Sequence, residues 1–578
     1  MNLVRFELNG QAVEVSPGLS ILEAAKQYGI KIPSLCHHPD QRVKANCRVC
    51  VVEVEGQRNL VASCATTVTE GMKVRTNSPK IRETVQTILE LIFANHPQEC
   101  LTCVRNGNCE LRQLAADYGI REIKGEMAAP SLPIDMSTPS LVRNPNKCIK
   151  CGRCAEVCHH VQETGILYSN YRSIDVAVEP EFGKNLSEVA CVLCGQCASV
   201  CPVGAIHERD DIAKVWAALD DLNKHVVVQV APSVRVSVAE EFGYAPGTIA
   251  TGKLVAALRK LGFDRVFDTD FGADVTIMEE GHELLHRLNN AGVLPMITSC
   301  SPGWVKYIEH NYPEQLGHLS TAKSPQQMFG ALAKTYYAKK AGLDPADIYV
   351  VSIMPCTAKK FESQRPEMSD SGVRDVDAVL TTRELGRILK QAGVEFSVLT
   401  EEQFDDPLGI STGAAAIFGA TGGVMEAALR TVYEVVTGSE LTNVEFTQVR
   451  GMDGVKEAEI DLAGSKVKVA VAHGLGNARK IMELIKTGQA DYTFVEIMAC
   501  PGGCIGGGGQ PYGTTNAVRR QRIAALYQVD EALPLRKSHE SPAVIELYKD
   551  FLGQPLGEVS HKLLHTKYKN RSLRKLKG

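Results

Sequence analysis

Nineteen cysteines set in short, repeating intervals constrain what this chain can fold around. In a small secreted protein such a number would mean disulfides. In a 578-residue chain kept reduced, clustered thiols mean metal. Fifteen lie before residue 202 and four after residue 299, so a metal-rich front is expected ahead of a larger, cysteine-poor body. The start, MNLVRFELNG, alternates apolar and polar residues like a strand and has neither a basic-then-apolar leader nor a twin arginine. No apolar run reaches the length of a membrane helix, and the expected compartment is the cytoplasm. A net charge of −4 predicts neither nucleic-acid binding nor a polybasic membrane patch. Only the tail, Lys567 to Lys577, is basic, and it reads as a solvated terminus.

Residues 3–15 and 49–55 read as strands, and Ile21 to Tyr28 as a short helix. Cys36, Cys47, Cys50 and Cys64 follow as C-x10-C-x2-C-x13-C. Four thiolates on loops can hold two irons and two sulfides, with a four-cysteine zinc site as the alternative. A helical stretch, Lys80 to Ala94, leads to His96, Cys100, Cys103 and Cys109, in the pattern H-x3-C-x2-C-x5-C. His96 stands about one helical turn from Cys100, so both can face one metal; in isolation a zinc knuckle fits equally. Residues 125–142 are Pro-rich and aperiodic, like a linker. Two near-repeats follow, CIKCGRCAEVC and CVLCGQCASVCP. In two-cluster ferredoxins the fourth cysteine of each such run serves the other cluster. Cys148, Cys151, Cys154 and Cys201 should therefore hold one 4Fe–4S cluster, and Cys191, Cys194, Cys197 and Cys158 a second. Gly152 and Gly195 should let the backbone turn tightly there. A front third with this many clusters is an electron relay.

Beyond residue 224, HVVVQVAP, DRVFDTDF, LPMITSC, IYVVSIMPC, AVLTT, KVKVAVAHG and DYTFVEIMAC read as buried strands. Helical segments fall between them, including Thr251 to Leu261, Ala273 to Ala291 and Ser324 to Ala341. The alternation implies an α/β body with parallel sheets. The last four cysteines sit where strands end, in ITSCSPGW (Cys300), IMPCTAKKFE (Cys356) and EIMACPGGCIGGGGQP (Cys500, Cys504). Four thiolates from three loops suffice for one more 4Fe–4S cluster. Gly502, Gly503 and Gly506 to Gly509 allow a bulky group to approach the backbone.

The front modules resemble the 2Fe–2S domain and the His(Cys)3-ligated 4Fe–4S module of the large iron–sulfur subunit of respiratory complex I. The three later strings are similar to the signature segments of the iron–iron hydrogenases, and that resemblance runs to the KSHESPAVIELYKDFLG stretch near the end. It implies a cubane–diiron site, with Cys504 shared between its halves, and a diiron unit carrying carbonyls, cyanides and an azadithiolate. It places Lys359 against one cyanide, with Lys360 a solvated surface residue. Ala231, Pro232 and Ser233 match the contact on the other cyanide. Gln326, Met354, Phe418 and Met498 match pocket-lining positions, plain core packing being the competing reading of the methionines. Glu280, Glu283, Arg287 and Ser320 match the proton path; alone, the first three would be an exposed charge stripe. One departure stands out. The family has two adjacent cysteines where this chain has Cys300–Ser301. Strict carry-over puts Ser301 on iron, whereas the cysteine count makes Cys300 the fourth ligand and Ser301 the proton relay. The second assignment is the expectation here, because serine is a poor iron ligand beside thiolate.

The expected organisation is α/β and multidomain. It comprises a β-grasp 2Fe–2S domain (1–79), a helical His(Cys)3 module (80–120), a two-cluster ferredoxin domain (138–211), a two-lobed hydrogenase domain (224–515) and a helical C-terminal segment (516–578). The cofactors implied are one 2Fe–2S cluster, three accessory 4Fe–4S clusters and the cubane–diiron H-cluster. The electron partner is ferredoxin or NAD(P)(H)-handling subunits of a complex. The chain itself lacks a dinucleotide fingerprint, since GLGNA at Gly474 has no third glycine or acidic partner. An electron-transfer subunit of complex I or a formate dehydrogenase would share the front third but not Cys356, Cys500 and Cys504. A non-enzymatic assembly relative would lack the front domain, and a hydrogen sensor would add a sensory one.

Overall fold

The computed structural model describes residues 3–123, 131–462 and 465–573. The stretch expected as one strand over 3–15 is a hairpin. Val4–Leu8 pairs antiparallel with Gln11–Val15, and Asn9 and Gly10 at the turn take φ of +52° and +84°. Lys73–Arg75, Val51–Val54 and Val61–Ala62 complete a five-stranded sheet. Helix Ile21–Gln27 starts at a Ser20–Glu23 capping box and packs Ile21, Ala24 and Ala25 onto Phe6, Leu8, Val13 and Val15, beside Cys50 and Cys64. Helix Pro79–Ala94 buries Ile81, Val85, Leu89 and Phe93 at helical spacing, against Leu111, Leu114, Cys201 and Val203. The His-bearing module is thereby seated on the ferredoxin domain.

Of the expected linker, residues 125–130 lie outside the described residues. The rest is not free chain. Asp135 and Arg143 exchange backbone hydrogen bonds at 2.9 Å, and Leu141–Arg143 pairs with Ile206–Glu208. Helices within the two cysteine runs, Arg153–His160 and Gln196–Ser199, start at Gly152 (φ +78°) and Gly195 (φ +71°), where a left-handed residue turns the chain.

The body holds two four-stranded sheets. One runs Arg265–Asp268, His225–Val230, Ile348–Met354, Ala378–Thr381, all parallel. The other runs Met296–Ile297, Phe494–Met498, Ser465–His473, Val455–Leu462. Its last strand is antiparallel, so this sheet is mixed rather than parallel as expected. Val455–Leu462 lies at the sheet edge and carries Lys456, Glu457, Glu459 and Asp461, which dilute the apolar signal of a buried strand. The helix expected over Ser324 to Ala341 is continuous but passes through a π turn at Ala333–Tyr337.

The C-terminal segment is integral to the body: Leu547, Leu552, Leu563 and Leu564 join the core of the first sheet. As far as it is described, the basic tail is solvated at Lys567 and Lys569, as expected, but it is also anchored. Arg571 bonds Glu309 at 2.8 Å and Lys569 pairs with Glu367 at 2.8 Å; residues 574–578 lie outside the described residues. Among the described residues, no helix is long and apolar enough to cross a membrane.

Candidate metal centres and proton path

In the first domain Cys50 Sγ lies 3.4 Å from Cys64 Sγ, and Cys36 contacts both Cys47 and Cys64. The four thiols form one knot. In the second module, His96, Cys100, Cys103 and Cys109 line one cavity with Lys147 and Gly204. Burial, then the Lys147 charge, pushes the His96 imidazole down to about 4, so the ring is neutral. Its Nδ1 is buried without a hydrogen-bond partner. A neutral imidazole with an orphaned nitrogen facing thiols suits a metal.

Cys148, Cys151, Cys154 and Cys201 line a single cavity of the ferredoxin domain. The thiols acting most on Cys154 are Cys148, Cys151 and Cys201, and those acting most on Cys197 are Cys194, Cys191 and Cys158. The crossing of the fourth cysteines is thus present in the packing. Burial pushes Cys148 up to about 11, and Cys151 and Cys194 to about 12. Such thiols cannot ionise together unless a cation supplies positive charge, which iron does.

In the body, Cys356 and Cys500 follow the strands Ile348–Met354 and Phe494–Met498. Cys500 is acted on by Cys356, Cys194 and Cys504, and burial pushes Cys504 up to about 12. Cys194 belongs to the ferredoxin domain, so the relay abuts this site. The glycine run makes that junction possible. A Cβ on Gly508 would lie 2.2 Å from the Cys194 carbonyl oxygen, and one on Gly507 would lie 2.2 Å from that of Pro355. These glycines admit neighbouring backbone, not only a bulky group.

Lys359 is buried; its Nζ donates to the Cys300 carbonyl at 3.2 Å and to Glu362 at 2.9 Å. Glu362 also accepts from Ser324 at 2.9 Å and Gln326 at 3.1 Å, while Gln326 Oε1 is buried without a partner. Lys360, expected at the surface, is 1% exposed and bonds Asp211 at 2.7 Å and Glu384 at 3.0 Å. It ties the ferredoxin domain's last turn to the first sheet. Ser233, beside Ala231 and Pro232, accepts from Gln510 at 3.3 Å; Gln510 also donates to the Cys504 carbonyl at 3.2 Å. Met354 and Ala231 belong to the core of the first sheet, and Phe418, Met498 and Cys300 to that of the second. Glu362 and Gln510 were not singled out in the sequence. The i, i+3 spacing of Lys359 and Glu362 was the available signal; Gln510 had none.

Glu280 and Glu283 lie on helix Thr269–Asn289, and both are buried, not an exposed stripe. Burial and the Glu283 charge push the Glu280 carboxyl up to about 8. Ser320 Oγ donates to Glu283 at 2.9 Å, and Arg287 grips Glu283 at 2.6 Å near the surface. The charge acting most on Cys300 is Glu280, ahead of Cys504. The Ser301 hydroxyl instead accepts from the backbone N of Ala499, the residue before Cys500, at 3.2 Å.

Sulfur and imidazole donors grouped in these sets fit the iron–sulfur clusters of an oxidoreductase. Residues 224–508 match the iron-only hydrogenase large subunit, C-terminal domain, and 516–571 the iron hydrogenase small subunit. The front matches a 2Fe-2S iron-sulfur cluster binding domain (2–79), the NADH-ubiquinone oxidoreductase-G iron-sulfur binding region (86–124) and a 4Fe-4S dicluster domain (144–205). The NADP-reducing hydrogenase subunit HndD of Solidesulfovibrio fructosivorans is 51% identical, across 98% of this chain and 99% of its own. Iron hydrogenase 1 of Clostridium pasteurianum is 43% identical, across 97% and 99%. A solved variant of the FeFe hydrogenase HydA1 from Chlamydomonas reinhardtii aligns with a TM-score of 0.57 at 47% identity, covering 63% of this chain and 99% of that one. The chain belongs to the iron-only hydrogenase family, and its chemistry is the reversible combination of protons and electrons into dihydrogen.

Proposed function

We propose that this hydrogenase exchanges electrons with NAD(P)(H)-handling partner subunits in the cytoplasm, ferredoxin being the alternative. The whole-length similarity to an NADP-reducing hydrogenase subunit carries this reading. Nineteen cysteines are more at home in a reducing compartment. The test is purification from the source: subunits that co-elute and reduce NADP+ with dihydrogen support it, whereas a lone chain serving only ferredoxin overturns it.

The units 1–79, 80–120, 138–211, 224–515 and 516–578 divide the labour, the first having the sheet-and-helix form of a β-grasp domain. Cys36, Cys47, Cys50 and Cys64 would hold a 2Fe–2S cluster. His96 with Cys100, Cys103 and Cys109, and the two crossed ferredoxin sets, would hold three 4Fe–4S clusters. Cys356, Cys500 and Cys504 would hold the cubane of the H-cluster, whose diiron half supplies the redox chemistry of dihydrogen when bound. Lys359, oriented by Glu362, presents an ammonium to an anionic ligand, as Ser233 and Gln326 present polar groups. Ala231, Pro232, Met354, Phe418 and Met498 exclude water. Arg287, Glu283, Ser320 and Glu280 move protons inward.

The fourth cubane ligand divides between Cys300 and Ser301. Two observations support the reverse of the cysteine-count assignment: the charge acting most on Cys300 is Glu280, which suits the inner end of the proton path, and the Ser301 hydroxyl is bonded to the backbone just before Cys500, which suits the ligand position. Under this reading Ser301→Ala loses the cubane's electron paramagnetic resonance signal while Cys300→Ala keeps it. The opposite pattern restores Cys300 as ligand.

A further inference from the structure

Glu283 has a second set of partners that its place in the proton path does not require. Thr321 donates its backbone N–H to Glu283 Oε2 at 2.9 Å, and its hydroxyl lies 3.2 Å from the same oxygen. That hydroxyl also lies 2.7 Å from His565 Nδ1. The other ring nitrogen, Nε2, lies 3.0 Å from Glu279 Oε2. Glu279 is fully buried and further accepts from Leu556 N at 2.9 Å and from the Tyr548 and Ser560 hydroxyls. So well supplied with donors, Glu279 stays ionised. A carboxylate fixed on Nε2 keeps that nitrogen protonated and leaves Nδ1 to take or give a proton.

We propose that Thr321 and His565 form a side branch of the proton path, in which His565 stores a proton exchanged with Glu283. The transfer balances within the chain. Glu283 gives its carboxyl proton to the Thr321 oxygen as the Thr321 hydroxyl proton passes to His565 Nδ1. A carboxylic acid and a neutral imidazole become a carboxylate and an imidazolium; no heavy-atom bond or electron count changes. Beyond Glu279 lie the buried Tyr548 and Ser560 hydroxyls, and among the described residues no hydrogen bond leads from His565 to the exposed His561, so the hydrogen-bonded path to solvent remains through Arg287. The titratable groups facing His565 are Glu279 on helix Thr269–Asn289, Glu283 through Thr321, and His561, whose ring stacks at 4.9 Å. His565 comes from the C-terminal segment, and its bridge with Ala322 holds it in register with Thr321.

The inference rests on Glu283 being in the path, and the test separates the two. Dihydrogen evolution by matured enzyme with a dye donor is followed across pH, with infrared bands of the diiron unit as the check on loading. Two coupled sites bind a proton more tightly than one, so cutting the branch lowers the pair's affinity. His565→Gln should move the half-maximal pH to the acid side, by about 0.3 units if the two sites bind equally, and Thr321→Val, which also takes a donor from Glu283, should move it the same way by less. The double variant should move no further, and Thr321→Ser should restore the wild-type profile. Unmoved profiles in both single variants, or no rescue by serine, overturn the branch. Full activity in Glu283→Gln would instead overturn the path it serves. Should His565→Gln fold poorly, Thr321→Val still decides, because it leaves the His565–Glu279 contact in place.

Discussion

Lys359 and Lys360 are adjacent, chemically identical and both buried, yet they do different work. Lys360 neutralises Asp211, 149 residues away in sequence, and Glu384. No local pattern could have announced this, because its partners meet only once the ferredoxin domain docks on the body. Removing one member of a buried ionic set leaves the others unpaired. Lys360→Ala should therefore destabilise the protein by roughly 3–5 kcal/mol, read by denaturant unfolding, with cluster content at low denaturant unchanged. The candidate ligands of the front modules were legible for the opposite reason: iron needs several thiolates at once, and most of each set is spaced locally, whereas Cys300, Cys356, Cys500 and Cys504, on three distant loops, were legible only together with the family's strings. Glu280 lies between these cases. Its position follows from the family motif, whereas its neutrality at pH 7 follows from burial and the Glu283 charge, which hold the carboxyl near 8. Glu280→Gln keeps the shape and removes the transferable proton. Turnover should fall about 100- to 10,000-fold with the iron–sulfur absorption retained, the usual range for a lost general acid.

Helix Thr269–Asn289 buries Asp270, Asp274, Glu279, Glu280 and Glu283 in the body. An element so acidic reads as exposed from sequence, and only the partners brought to it from elsewhere make its burial possible. Asp274 shows the consequence for stability. Thr412 donates to it through its hydroxyl at 2.6 Å and its N–H at 3.0 Å, yet burial pushes the carboxyl up to about 7. A folded-state value above the unfolded one favours the fold at low pH and loses that contribution as pH rises toward 7. The melting temperature should fall between about pH 4 and pH 7, and Asp274→Asn should flatten that slope. The glycine run after Cys504 is the other element whose purpose the sequence half revealed. Its close approach was legible, but what approaches, the Cys194–Gly195 backbone, was not. Gly508→Ala forces these loops apart and should weaken the docking of the ferredoxin domain, seen as faster proteolysis between residues 211 and 224.

At the scale of the molecule, four cysteine-bearing regions are joined by packing that leads toward one site. Helix Pro79–Ala94 seats the His96 module on Cys201 and Val203, and Cys194 stands beside Cys500. A fully loaded chain should carry about 20 iron atoms, counting two for the 2Fe–2S cluster, four for each cubane and two for the diiron unit. The relay makes a sharper prediction than the count. His96→Ala or Cys103→Ala removes a ligand from a module distant in sequence from the catalytic loops, so the diiron infrared bands should persist. A small dye can deliver electrons to any exposed cluster, whereas a protein partner must dock where the relay begins. If the His96 module is an obligatory step, the rate with the partner should fall much further than the rate with the dye. Equal losses in both assays would mean that the module only props up the fold. Replacement by cysteine refines the test. His96→Cys should retain the cluster, but a thiolate adds negative charge and lowers its reduction potential, whereas neutral imidazole keeps it higher. The cluster signal would then appear at a more negative potential in a redox titration, and electron transfer to the partner would change while dihydrogen chemistry with the dye would not.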